Sequence, residues 1–138
     1  MRIKVGTLRR LIRESLGPNG WWVLRDGSVV NVPRGKEHAD VAAEITGVED
    51  SDSSPLSPDE MLEVSGAIRI RNWGDFVSVR ARKLERHSLE ILQDALASIG
   101  LNARMNVSLY VIGTRYKTTV AEIMGVRNLK ELTPDPDY

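Results

Sequence analysis

The strongest constraint lies between Ala67 and Gly100, where the spacing of apolar residues changes once. The stretch reads AIRIRNWGDFVSVRARKLERHSLEILQDALASIG. In its first half Ile68 and Ile70 alternate with Arg69 and Arg71. After Asn72-Trp73-Gly74-Asp75, the valines Val77 and Val79 alternate with Phe76, Ser78, Arg80 and Arg82. Successive side chains of a strand point to opposite faces, so each run has one apolar and one polar face. A turn at Trp73-Gly74 sets Ile70 opposite Val77 and Ile68 opposite Val79, with both apolar sets on one side of a hairpin. In the second half Leu84, Ser88, Ile91, Leu92, Ala95 and Ile99 recur at helical spacing, and Leu89 and Leu96 widen the stripe. Gly100 stands where a left-handed helix cap is expected. Both apolar surfaces must leave water, so helix and hairpin pack together as the central core.

The other hairpin face carries Arg69, Arg71, Arg80 and Arg82, with Phe76 beside the turn. Nothing in a hairpin demands four like charges on one small face. Two readings stay open: a solvated outer surface, or a surface that binds phosphate or carboxylate. Charge is also segregated along the chain. Glu37 to Glu63 holds nine acidic residues and no lysine or arginine, whereas Ala67 to His87 holds six cations against Asp75 and Glu85. Such asymmetry either steers a partner or lets the acidic segment screen the basic face of the same molecule. A net charge of zero argues against a strong general nucleic-acid binder.

Residues 7–16 predict a short amphipathic helix, with Thr7 as its cap, Leu8, Leu11, Ile12 and Leu16 as the apolar stripe and Gly17-Pro18 as its end. Ten residues are too few for a stable isolated helix, so it docks on the domain or is ordered by a partner. Pro18-Asn19-Gly20 reads as a hinge. Asp26-Gly27 predicts a second hairpin over Trp21 to Val32, with Trp21 near Val32 and Val23 near Val30. Trp22 then faces the other way, where the N-terminal helix covers it or leaves it exposed as a binding anchor. Lys36 to Thr46 predicts a helix with Val41, Ala42 and Ile45 inward. Gly47 to Leu56 is an acidic, serine-rich loop. Capping boxes are expected at Ser57-Pro58-Asp59-Glu60 and at Thr119-Val120-Ala121-Glu122. Met105 to Ile112 predicts a strand with Met105, Val107, Leu109 and Val111 on one face. Gly113 to Thr119 then reads as its connection to a helix N-terminus: an ordinary polar link, or a place where backbone donors and the charges of Arg115 and Lys117 favour anions.

The chemistry of catalysis is not written in the chain. It has no cysteine, which removes disulfides and thiol nucleophiles. No phosphate loop, nucleophile elbow, HExxH or calcium-loop pattern occurs. His38 and His87 both read as surface helix residues rather than metal ligands. No apolar run has the length of a membrane span. The N-terminus lacks an uninterrupted apolar stretch of the secretory kind. The expectation is a chain that is not an enzyme, with no cofactor, no metal and no membrane.

Two resemblances sit on specific residues. The opening MRIKVGTLRRLIRESL resembles the "LRxLIREEL" leader found at the start of many proteins of large tailed phages. In tailed myophages, internal head proteins carry short N-terminal delivery peptides, which the prohead protease cuts after a Glu two places beyond an aliphatic residue. Ile12, Arg13 and Glu14 match that pattern. The layout GWWVLRDGSVVNVP, a helix with His38, then GAIRIRNWGDFVSV and a helix is similar to small uncharacterised phage- or prophage-encoded proteins, over about residues 20–99. Where their pattern has Trp after the second glycine, this chain has Ala67. What the resemblance implies is a phage or prophage setting, in the virion or the host cytoplasm.

The expected fold is α+β: two β-hairpins plus a later strand in a mainly antiparallel sheet, with helices on one face. Residues 1–17 form a leader-like helix, 18–132 a single domain and 133–138 a flexible tail. The expected function is non-enzymatic binding, in a structural or accessory role within or beside the virion, with a phage or host protein as partner. The alternative is a small nucleic-acid-binding accessory protein that uses Arg69, Arg71, Arg80, Arg82 and Phe76.

Overall fold

The computed structural model describes residues 18–48 and 56–136. The leader-like helix and the Ile12, Arg13, Glu14 motif lie outside the described residues, as does most of the acidic loop. Six strands form one sheet: β1 (Asn19–Val23), β2 (Val29–Val32), β3 (Ile68–Asn72), β4 (Phe76–Ala81), β5 (Asn106–Val111) and β6 (Thr114–Thr119). Their spatial order is β2-β1-β3-β4-β5-β6. Every neighbouring pair is antiparallel except β4 and β5, which run parallel. That pair needs a crossover, and the 14-residue helix α3 (Arg86–Ile99) supplies it. Helices α1 (His38–Thr46) and α2 (Pro58–Ser65) join β2 to β3, and α4 (Val120–Gly125) follows β6. The α+β class is therefore as expected, with three hairpins rather than two. Residues 114–119, expected as a connection, are strand β6. Alternation there was masked by the run of polar residues Thr114 to Thr119.

One face of the sheet holds the expected core. Ile68, Ile70, Val77 and Val79 pack with Leu84, Leu89, Ile91, Leu92, Ala95 and Leu96, and with Val107, Leu109, Val120 and Ile123. Each such side chain contributes about 1.5–3 kcal/mol when fully buried. Gly100 caps α3 in the left-handed conformation at φ 75°. Thr119 completes its capping box with Glu122, whereas Ser57 turns its hydroxyl to the Asp59 carboxylate instead of a backbone N–H. Pro58 at the first helical position still starts α2.

The helices do not all share that face. Helices α1 and α2 lie on the opposite side, where Trp22, Val32, Val41, Ala42, Leu62 and Ala67 form a second, smaller core. The cause is a one-residue difference in register. The β1–β2 loop is Arg25-Asp26-Gly27, closed by Gly27 N–H to Leu24 O and Leu24 N–H to Ser28 O, both 2.8 Å, with Gly27 at φ 92°. A three-residue loop pairs Trp22 with Val30 and Gly20 with Val32, not Trp21 with Val32. Val30 and Val32 thus join Trp22, and the second face needs a cover of its own. Trp22, fully buried, packs under α1 and α2, and the N-terminal helix expected over it lies outside the described residues. Asn19 and Gly20, read as a hinge, are the first residues of β1. Pro134 and Asp135 are also held. Pro134 bridges Tyr116, and the Asp135 N–H donates to Arg115 O at 2.8 Å, so these residues of the expected tail are docked on β6.

Candidate functional site

Helices α1 and α2 cover only one end of the second face. The rest is open, and β3 to β6 present their polar residues there. Register places Arg69 beside Arg80, Arg80 beside Tyr110 and Tyr110 beside Arg115, a row across four strands. A second row runs from Arg71 through Ser78 and Ser108 to Lys117. The β3–β4 pairing differs from the expected one by two residues: Ile70 meets Val79 and Asn72 meets Val77. An even shift leaves every side chain on its expected face. Arg69, Arg71, Arg80 and Phe76 therefore share one side, and Arg82, just beyond β4, lines the same cleft.

Two carboxylates temper this charge. Glu63 of α2 lies 2.5 Å from the Arg69 Nη2 and 3.6 Å from the Arg80 Nε. Asp135 lies 3.6 Å from the Arg115 Nε and 3.7 Å from the Lys117 Nζ. Arg69 is the most enclosed of the four hairpin arginines. Its guanidinium lies over the Trp22 ring, 5.6 Å from the centroid, and its Nε is buried without a hydrogen-bond partner. Its first task is structural, since it ties α2 to the sheet. Arg71, Arg80 and Arg82 remain at the surface of a cleft of about 650 Å³ lined also by Ser78 and Tyr110. A second cleft of about 660 Å³ continues past Arg71 to Lys36, His38, Asp59 and Trp73.

Arg71 is oriented by an unexpected residue. His38 is 4% exposed, not a surface residue. Its ring meets the edge of Trp22 at 5.5 Å between centroids, and the Trp22 Nε1–H donates to the His38 carbonyl at 2.8 Å. The His38 Nε2 lies 3.2 Å from Ile70 O, and the Arg71 Nε–H donates to Nδ1 at 3.4 Å. These contacts fit neutral imidazole with its hydrogen on Nε2. Burial, and then the Arg71 charge, push its pKa down to about 4. Gly20 makes the pocket, because a Cβ there would overlap the imidazole ring. Burial and the neighbouring guanidiniums of Arg69 and Arg80 likewise lower the pKa of Arg71. Across the cleft, burial would raise the Asp59 carboxyl, but the Ser57 hydroxyl and the helix N–H groups outweigh it and hold it low.

At the hairpin end stands an aromatic pair. Trp73 and Phe76 sit opposite one another, their rings 6.1 Å apart and 15° from parallel. They are 47% and 39% exposed, so neither serves the core. The Trp73 Nε1–H donates to the Ser78 hydroxyl at 3.1 Å, which lays the indole over the arginine face.

Sequence reasoning placed the four arginines and Phe76 on one surface. It offered Glu63 only as one of nine acids able to screen the basic face, and it missed His38 and Tyr110. Tyr110 had a signal, since it alternates with Leu109 and Val111 in the expected strand. His38 had none, because its neighbours are set by tertiary packing. Among the described residues no three His, Asp or Glu side chains assemble as a metal site. Nor is any helix there long and apolar enough to cross a membrane. No protein-family model matches this chain, and neither a curated protein nor a solved structure matches it.

Proposed function

We propose that this chain is a non-catalytic binding module whose open arginine face takes an anionic partner. One observation carries the reading. Arg71, Arg80 and Arg82 line a single open cleft, and among the described residues Arg71 and Arg82 have no carboxylate within ion-pair distance. Guanidinium groups suit phosphate and carboxylate because their donors form a planar fork. The resemblance of the leader and of residues 20–99 supports a phage or prophage setting, with packaging in the virion as part of the same proposal.

A second reading rests on Glu63. It bridges Arg69 and Arg80, so the basic face also serves to offset acids of the same chain. The two readings separate on titration with fluorescent heparin, a sulfated polyanion, at low salt. The binding module retains heparin. Replacing Arg71, Arg80 and Arg82 together by Ser abolishes retention while the chain still folds, since the strands keep their apolar face. Arg69 is left in place because Trp22 and Glu63 depend on it. If the intact chain binds neither heparin nor polyglutamate nor an oligonucleotide, the offset reading replaces the first.

A further inference from the structure

We infer that the anionic partner of this face is a single-stranded nucleic acid, with a base held on the Trp73–Phe76 pair and phosphates on Arg71, Arg80 and Arg82. This inference rests on the binding-module reading and adds the ligand's class. A protein carboxylate cluster needs only the arginines. It gives no reason for two large aromatic side chains to stand half in water beside them. Stacked bases give that reason, because every base offers a flat apolar surface and aromatic platforms take it with little regard for sequence. The platform is built in advance. The two rings stack near-parallel, which leaves the outer face of the stack for a base, and the bond from the indole Nε1 to Ser78 fixes Trp73 before any ligand arrives. Its place is set by the same hairpin, since Trp73 and Arg71 line one cleft and Ser78, Arg80 and Arg71 line the next.

Charge complementarity points the same way. Six cations of this face (Arg69, Arg71, Arg80, Arg82, Arg115 and Lys117) meet two partner carboxylates, Glu63 and Asp135. The surplus begins with Arg71 near the aromatic pair and runs along β4 to Arg82, just beyond its far end. A duplex hides its base faces within its own stack, so the platform discriminates against it. No group on the face is arranged to require a 2′-hydroxyl, and DNA and RNA strands are equivalent ligands.

The test uses fluorescein-labelled 15-mers of dT and rU, a 15-base-pair duplex and labelled heparin, all followed by anisotropy with the full chain. Single strands are expected to bind more tightly than the duplex. Three phosphate contacts give a log–log salt slope of roughly −2. The double variant Trp73→Ser, Phe76→Ser should lose about ten-fold or more in single-strand affinity and keep its heparin affinity. Retained heparin binding shows at the same time that the variant is folded. Two results overturn the inference and spare the binding module: heparin or polyglutamate bound without single strands, or single-strand affinity unchanged in the double variant. Failure of every polyanion to bind overturns both.

Discussion

His38 shows how one side chain ties the fold to the site. Its ring is sealed between Trp22 and Gly20 and holds the Arg71 guanidinium through Nδ1. A proton on Nδ1 would set an N–H against the Arg71 Nε–H, and both neighbouring arginines oppose the charge. The folded-state pKa is about 4 against an ordinary value of 6.5. Between these values the unfolded chain takes up the proton and the folded one does not. The stability this group supplies is thus complete above pH 6.5 and is lost as pH falls toward 4. The full loss is about 3 kcal/mol. Urea midpoints measured from pH 7 to pH 4 should decline for the intact chain and flatten in His38→Gln. A parallel decline in both proteins would assign the effect to other groups, Asp59 excepted, since its carboxylate is held below its ordinary value. None of this was legible in the sequence. There His38 stands among Glu37, Ala39 and Asp40 like any surface residue, and the cavity that buries it comes from a glycine in another element.

At the scale of elements, the loops decide what alternation leaves open. Alternation fixed which residues of a strand share a face, and it did so correctly for β3, β4 and β5. It could not fix pairing. In β1–β2 the three-residue loop moved the register by one and turned Val30 and Val32 to the Trp22 side. In β3–β4 the loop is Gly74-Asp75, with Trp73 N–H donating to Phe76 O at 2.9 Å, and the shift by two changed partners without changing faces. The β5–β6 loop is Ile112-Gly113, with both residues at positive φ, 34° and 72°. That geometry is the tight mirror-image turn, which favours Asn-Gly. A β-branched residue there is strained, and Ile112 is 66% exposed, so no burial offsets it. Ile112→Asn should therefore stabilise the protein by about 1 kcal/mol. Calorimetry checks this as a rise of a few degrees in the thermal midpoint. An unchanged or lower midpoint would mean that the isoleucine makes a contact that the turn geometry does not reveal.

For the whole molecule, the decisive fact is that α3 and α4 fill one face and α1 and α2 fill only part of the other. The central core could be read from Ala67 to Gly100 because it is local in sequence: a hairpin and the helix that follows it. The candidate face could be half read for the same reason. Its remaining members come from α2, β5, β6 and the chain end, and they meet only when the sheet is assembled. Asp135 is the clearest case. Its side chain is 4% exposed and sits where a ligand's own anionic group would sit, on Arg115 and Lys117. Asp135→Asn should therefore raise heparin affinity and steepen its salt dependence by up to about two contacts, a slope change of roughly −1 to −2. Equal slopes in the two proteins would confine the binding surface to β3 and β4. The same docked segment has a consequence of another kind. It lays Pro134, a residue without an N–H, along the outer edge of β6. The opposite edge, β2, has no such guard among the described residues. A filament grown by strand addition needs both edges of each sheet to be receptive. With one edge stopped, strand addition does not propagate from copy to copy.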